Sequence, residues 1–272
     1  MIPLGPEDRA DIERLLSAQP ALAMFPLGNL VTHGFGGDHS HGMTFWGDGH
    51  PPRAVLGVSN SGGVMPFWDD PSHAAAASDI LRGRALNGFV GPAAMVRPLM
   101  RELGLEDGTC TLDADEPHFL LDLDRLAVPD GPGTLAPLTV DPETAIHWRR
   151  AYTAELHMPT AEDGSADDVA RWITADSHRF LMIDGRPAAL TGFNARLPHI
   201  VQVGGVYTPP GARGRGLARR VVALHLAEAR AAGVRQATLF AASNAAVACY
   251  RPLGFERIGD FALVLFDGPV TP

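Results

Sequence analysis

The run Arg213-Gly214-Arg215-Gly216-Leu217-Ala218-Arg219 puts two glycines and three arginines in a seven-residue stretch. The apolar segment Ile200 to Val206 before it predicts a strand, and Leu217 to Ala232 after it predicts a helix. Gly214 and Gly216 lack side chains, so a ligand can reach the backbone there. The first amides of a helix have no internal partner, and the helix dipole adds positive potential at the same place. Together they make an anion site suited to a pyrophosphate, with charge added by Arg213, Arg215 and Arg219. Two nucleotide motifs fail here. No lysine follows Gly216, as a phosphate-binding Walker loop requires. The dinucleotide fingerprint fails for want of a third glycine and of an acid on the next strand, Gln236 to Ala241.

The motif that does fit is Arg-x-x-Gly-x-Ala, at Arg213, Gly216 and Ala218. Downstream come a strand (Gln236 to Ala242), Ser243-Asn244 as a helix cap, a helix to Leu253, and Tyr250-x-x-x-Gly254-Phe255. Gly259 to Phe266 predicts a closing strand. This series resembles the GNAT-type N-acetyltransferases over roughly Thr134 to Phe266. The resemblance implies an α/β (α+β) fold: a central, mixed but mostly antiparallel sheet flanked by helices. It further implies acetyl-CoA as cosubstrate. The loop Arg213, Gly214, Arg215, Gly216, Leu217 and Ala218 would hold the pyrophosphate. The backbone of Val206, Tyr207 and Thr208 would pair with the pantetheine arm, and Asn244 would contribute to the same site. One residue of spacing separates Asn244 from the family pattern.

Acetyl transfer from a thioester to an amine needs the thioester carbonyl polarised, a proton removed from the amine and one delivered to the thiolate. Tyr250 is the candidate acid. The base is less defined, because the family's strand glutamate is missing from His199-Ile-Val-Gln202-Val-Gly-Gly-Val206. Glu155, on a helix opened by Asp141-Pro142 and running towards Met158, is one candidate. His199, which can titrate near neutrality, is another. A water-mediated base, or an amine that binds already neutral, would serve as well. His33, His39, His41 and His50 lie in a Gly-rich segment without cysteines, and no metal is expected. Cys249 reads as a buried small hydrophobe.

The elements that must position these residues fall into two halves. Residues 134–272 predict strand, two helices, three strands, helix, strand, helix, strand. That order includes the hairpin turn Asp184-Gly185 and a helix from Ala166 to Ala175. Residues 1–126 have a similar rhythm, with Ala21 to Val31 broken by Pro26 and Gly28. Two strands, Thr109 to Leu112 and Phe119 to Leu123, close the first half. The Pro/Gly-rich 127–133 reads as a linker. Two copies in tandem are therefore expected. In the first, the turn equivalent to the arginine loop is Phe67-Trp68-Asp69-Asp70-Pro71, with two acids and no glycine. Carboxylates there would repel a pyrophosphate, leaving the first domain to wall the acceptor site or make a homodimer contact.

Composition narrows the partners. A net charge of −9 argues against nucleic acid and favours cationic amines, whether small molecules or peptides. Two cysteines without a CxxC, no signal-peptide pattern and no membrane-length apolar run point to the cytoplasm. The expected function is direct acetyl transfer from acetyl-CoA to a primary amine. The rivals are a non-catalytic coenzyme A-binding or protein-interaction module, and a nucleotide-binding domain of another kind.

Overall fold

The computed structural model describes residues 1–155 and 164–272. The chain divides into two compact units. One comprises Met1–Pro117 with Gly259–Pro272, the other His118–Ile258. The series of elements in the first half is β1 (Ile2–Leu4), α1 (Arg9–Ser17), α2 (Met24–His33), β2 (Met43–Gly47), β3 (Val55–Ser59), β4 (Gly63–Phe67), α3 (His73–Leu81), β5 (Leu86–Pro92), α4 (Ala93–Glu102) and β6 (Cys110–Asp122). The second half runs β7 (Thr134–Pro137), α5 (Pro142–Glu155), α6 (Gly164–Thr174), β8 (His178–Ile183), β9 (Arg186–Arg196), β10 (Ile200–Tyr207), α7 (Leu217–Ala231), β11 (Gln236–Phe240), α8 (Asn244–Tyr250) and β12 (Glu256–Val270). The two series correspond element by element. In each, four antiparallel strands precede a helix, and the next strand lies parallel to the fourth: β4 with β5, β10 with β11.

The compact units do not follow the expected boundaries at 126 and 134, because strand pairing decides them. The first unit's sheet runs β1-β2-β3-β4-β5 and then takes the last strand of the chain, with Phe261 opposite Pro92 and Val264 opposite Phe89. The second unit's sheet starts from His118–Asp122, the end of β6, antiparallel to β11, and continues through β10, β9, β8 and β7. The two short strands expected at 109–123 are one strand, Cys110–Asp122. The helix α2 also runs through Pro26 and Gly28 instead of breaking there. Pro26 falls in its first turn, where an N–H has no helical partner to lose. In the first unit Phe67 and Trp68 are buried at the end of β4, where the second unit has its glycine loop.

The second unit packs helices on both faces of its sheet. Alternate residues of β8 and β9 divide between two clusters: Leu181, Ala189 and Phe193 pack with α7 and α8, while Phe180 and Leu190 pack with α5 and α6. The turn between these strands carries Asp184 and Gly185 at φ 50 and 75, as the hairpin reading requires. The α5 reading beyond Glu155 lies outside the described residues.

Three buried histidines belong to this unit and went unread in the sequence. His178 stacks on Trp172 at 3.9 Å and bonds Ser177 Oγ at 2.8 Å, His225 stacks on Phe193 at 3.9 Å, and His118 meets Thr238 Oγ1 at 2.7 Å. Burial pushes His178 and His225 down to about 3 and His118 to about 4, from an ordinary 6.5. The folded state thus refuses protons that the unfolded chain accepts. Stability should be complete above pH 6.5 and fall as pH drops from 6.5 towards 3. Each histidine should cost roughly 2 kcal/mol by pH 5. Denaturant midpoints that stay level between pH 7.5 and 5 would contradict that burial.

Candidate active site

Strand β10 is where the site begins. It pairs with β11 only from Ile200–Gln236 to Gln202–Thr238, after which the two parallel strands part. On its other side, the register with β9 slips between Gly204 and Tyr207, and Gly205 sits at φ 60. That bulge changes which face each later residue takes. Val201 and Val203 pack in the α7 cluster. Tyr207, of the same parity, packs instead with Trp148 in the α5 cluster, while Val206, of the opposite parity, comes round to the α7 side. The pair Gly204-Gly205 inside a strand was the available signal for this bulge.

The chain then turns through Pro209–Ala212 into the arginine loop. Gly214 and Gly216 have φ 74 and 75, the left-handed region that favours glycine, and a β-carbon on either would meet nothing within 4 Å. Gly216 is the N-cap of α7, and no side chain caps the helix. Its first amides are therefore not served by a cap. Arg215 is exposed beside them. Arg219 lines the site with its guanidinium engaged: its Nε and Nη2 donate to the carbonyls of Cys249 and Ala248 at 3.1 and 3.0 Å, tying α7 to the end of α8.

A cleft of about 510 Å³ opens at this point. Val206, Tyr207, Thr208, Arg213, Gly214, Gly216, Leu217, Ala218 and Arg219 line it, together with Ser243, Ala245, Ala246, Ala248, Cys249 and Tyr250. The Thr208 hydroxyl is buried there without a hydrogen-bond partner among the described residues. Ser243, not Asn244, caps α8, accepting from the Ala246 amide at 3.2 Å. Asn244 is exposed and does not line the cleft.

Tyr250 is buried at the end of α8, its ring edge-on to Phe255 at 6.1 Å. The spacing to Gly254-Phe255 has a local cause. Gly254 adopts φ 104, and a β-carbon there would come within 3.0 Å of the Arg125 carbonyl, so only glycine lets the chain double back. Cys249 also faces the cleft. Burial pushes its thiol up to about 11, so it stays protonated near neutrality and is a poor nucleophile.

Helix α5 supplies the remaining wall. Trp148, Tyr152 and Glu155 lie four and three residues apart, hence on one helix face. Trp148 packs on Tyr207 at 5.8 Å, and Tyr152 and Glu155 reach the cleft. Arg213 Nη2 stands 2.7 Å from both carboxylate oxygens of Glu155, its Nε donates to the Thr208 carbonyl at 2.9 Å, and the guanidinium lies 5.8 Å from the Tyr207 ring. The Tyr207 side chain lines the cleft beside the same two residues. Burial and then the Glu155 charge raise its pKa. The sequence had offered only the backbone of Tyr207.

The structure thus brings Glu155, the arginine loop and Tyr250 into one cleft. It does not bring His199 there. That residue is exposed before β10, seven residues short of the cleft at Val206, or roughly 20 Å along a strand. In the first unit, His33 and His39 stack at 3.8 Å with His41 nearby, and His50 pairs with Asp8 at 2.6 Å. Among the described residues, no group of three or more His, Cys, Asp or Glu is placed to hold a metal ion.

Residues 144–255 match the model of the acetyltransferase (GNAT) family. This segment is a GNAT domain. It falls inside the second unit and contains the cleft's arginine loop, Glu155 and Tyr250. The fold likeness extends over both halves. A GNAT-family acetyltransferase from Colwellia psychrerythraea is 14% identical, with 97% of this chain and 98% of that one covered and a TM-score of 0.57. A Drosophila protein is 15% identical, with 97% of each covered and a TM-score of 0.68. A tandem GNAT protein from the clavulanic acid biosynthesis pathway is 16% identical, with 97% and 96% covered and a TM-score of 0.55. No curated protein matches the chain. The family supports acyl-CoA-dependent acetyl transfer as the general activity of the GNAT domain. Among the described residues, no helix is long and apolar enough to cross a membrane.

Proposed function

We propose that the second unit transfers an acetyl group from acetyl-CoA directly to a primary amine on a small molecule or peptide. The observation that carries this reading is the start of α7: two left-handed glycines and a helix end without a side-chain cap, opening on a cleft that Tyr250 also lines. The pyrophosphate binds the amides of Arg215 to Ala218. The pantetheine arm adds as a strand to the edge of β10 that β11 leaves beyond Gln202, contacting Val206, Tyr207 and Thr208. An amide at the bulge polarises the thioester carbonyl.

The amine nitrogen attacks that carbonyl carbon, and the carbon–sulfur bond breaks. Tyr250 gives its proton to the departing thiolate, and the amine's proton leaves through the cleft. No covalent acyl-enzyme is required, consistent with a Cys249 thiol that stays protonated. A net charge of −9 favours cationic acceptors. The first unit, with Phe67 and Trp68 buried at the equivalent turn, takes no coenzyme A.

Calorimetric titration with acetyl-CoA, with ATP and NAD as controls, tests the reading. The expected result is binding of one acetyl-CoA per chain and of neither control, followed by amine-dependent thiol release. Equal affinity for ATP or NAD would overturn it.

A further inference from the structure

Arg213 belongs to the cofactor loop and Glu155 to the acceptor-side helix, yet in this structure each is the other's partner. Arg213 Nη2 lies 2.7 Å from both Glu155 oxygens, and the guanidinium lies 5.8 Å from the Tyr207 ring. We infer that this ion pair is a latch: it masks the Glu155 carboxylate until the cofactor pyrophosphate draws Arg213 away, and the freed carboxylate then receives the acceptor's ammonium. This deepens the transferase reading and rests on it.

The energetics suit a latch. Both side chains are about half exposed, 47% and 42%, and such pairs contribute little to stability. A pyrophosphate carries more negative charge than one carboxylate, and guanidinium forks bind either anion in the same planar geometry. Binding of the polyanion at the adjacent helix start can therefore outcompete Glu155 for Arg213. Once Arg213 leaves, Glu155 stands beside a buried phenol that resists ionisation, without its counter-ion. A carboxylate without its counter-ion in a cleft attracts a cation. The ammonium then passes a proton to the carboxylate, and the neutral nitrogen is left for attack. The acceptor class this selects is a cationic amine, and it selects an order, cofactor before amine.

The test is a double-substitution cycle read by calorimetry with coenzyme A alone, so that neither turnover nor the acceptor is needed. Glu155→Gln removes Arg213's competitor and should tighten coenzyme A about two- to fivefold, the range of an exposed ion pair. Arg213→Gln should weaken it. In the Arg213→Gln background, Glu155→Gln should change affinity by less than about 1.5-fold, because the competition no longer exists. Equal tightening in both backgrounds would mean that Glu155 merely repels phosphate through space, and would overturn the latch. So would a Glu155→Gln variant with unchanged or weaker affinity. Failure of the unsubstituted protein to bind coenzyme A would instead sink the transferase reading. Melting curves of all four proteins check that each is folded.

Discussion

Gly216→Glu should cost at least about a hundredfold in acetyl-CoA affinity while leaving the chain folded. A new carboxylate at the N-cap of α7 stands where the pyrophosphate is expected. Two unit charges about 4 Å apart repel by about 4 kcal/mol at the dielectric typical of a protein surface. The fold should survive, because a β-carbon at 216 meets no atom within 4 Å and an acid suits a helix start. The price is the left-handed backbone at φ 75, about 1–2 kcal/mol for a residue with a side chain. Gly216→Ala separates the two effects: it carries the strain but not the charge. The alanine variant should lose about that much stability and keep most of its affinity. Calorimetry on both variants decides the matter. If Gly216→Glu binds acetyl-CoA as the parent does, the pyrophosphate lies elsewhere.

The loop and Tyr250 were legible in the sequence because their constraints are local. Two left-handed glycines before an apolar helix, and a glycine four residues after a tyrosine, are demands of backbone geometry that few other residue types meet. The order of elements was legible for a similar reason, since period and turn chemistry act over a few residues. What was hidden acts over long separations. Nothing local tells that the chain's last strand pairs with Leu86–Pro92, or that residues 118–122 lie against β11. Strand pairing is set by competition between whole edges, so the compact units end at 117 and 258 and not at the Pro/Gly-rich segment. The Arg213–Glu155 pair joins residues 58 apart, and each alone looks like an ordinary surface charge. His199 is the converse case. Its chemistry fits a base, but the strand that follows carries the cleft away from it. Asn244 shows how one residue of spacing matters: Ser243 takes the cap, and Asn244 turns outward.

Tyr250→Phe should lower kcat about a hundredfold or more and leave acetyl-CoA affinity within about twofold. The substitution removes one oxygen and keeps the ring, so the edge-on contact with Phe255 and the packing of α8 persist. A thiolate leaving without a proton donor is the poorer leaving group, and that penalty exists only in the transition state. The loss should therefore appear in kcat and in kcat/KM alike. The pH profile adds an independent check. An acid that must be protonated gives a fall in rate at high pH, and this limb should vanish with the hydroxyl. Cys249 offers no substitute, because its thiol near 11 is no better placed to give up a proton and lies beside Arg219, whose charge is held by the α8 carbonyls. If the phenylalanine variant turns over at the parent rate, protonation comes from water, and the role left to Tyr250 is to close the cleft wall.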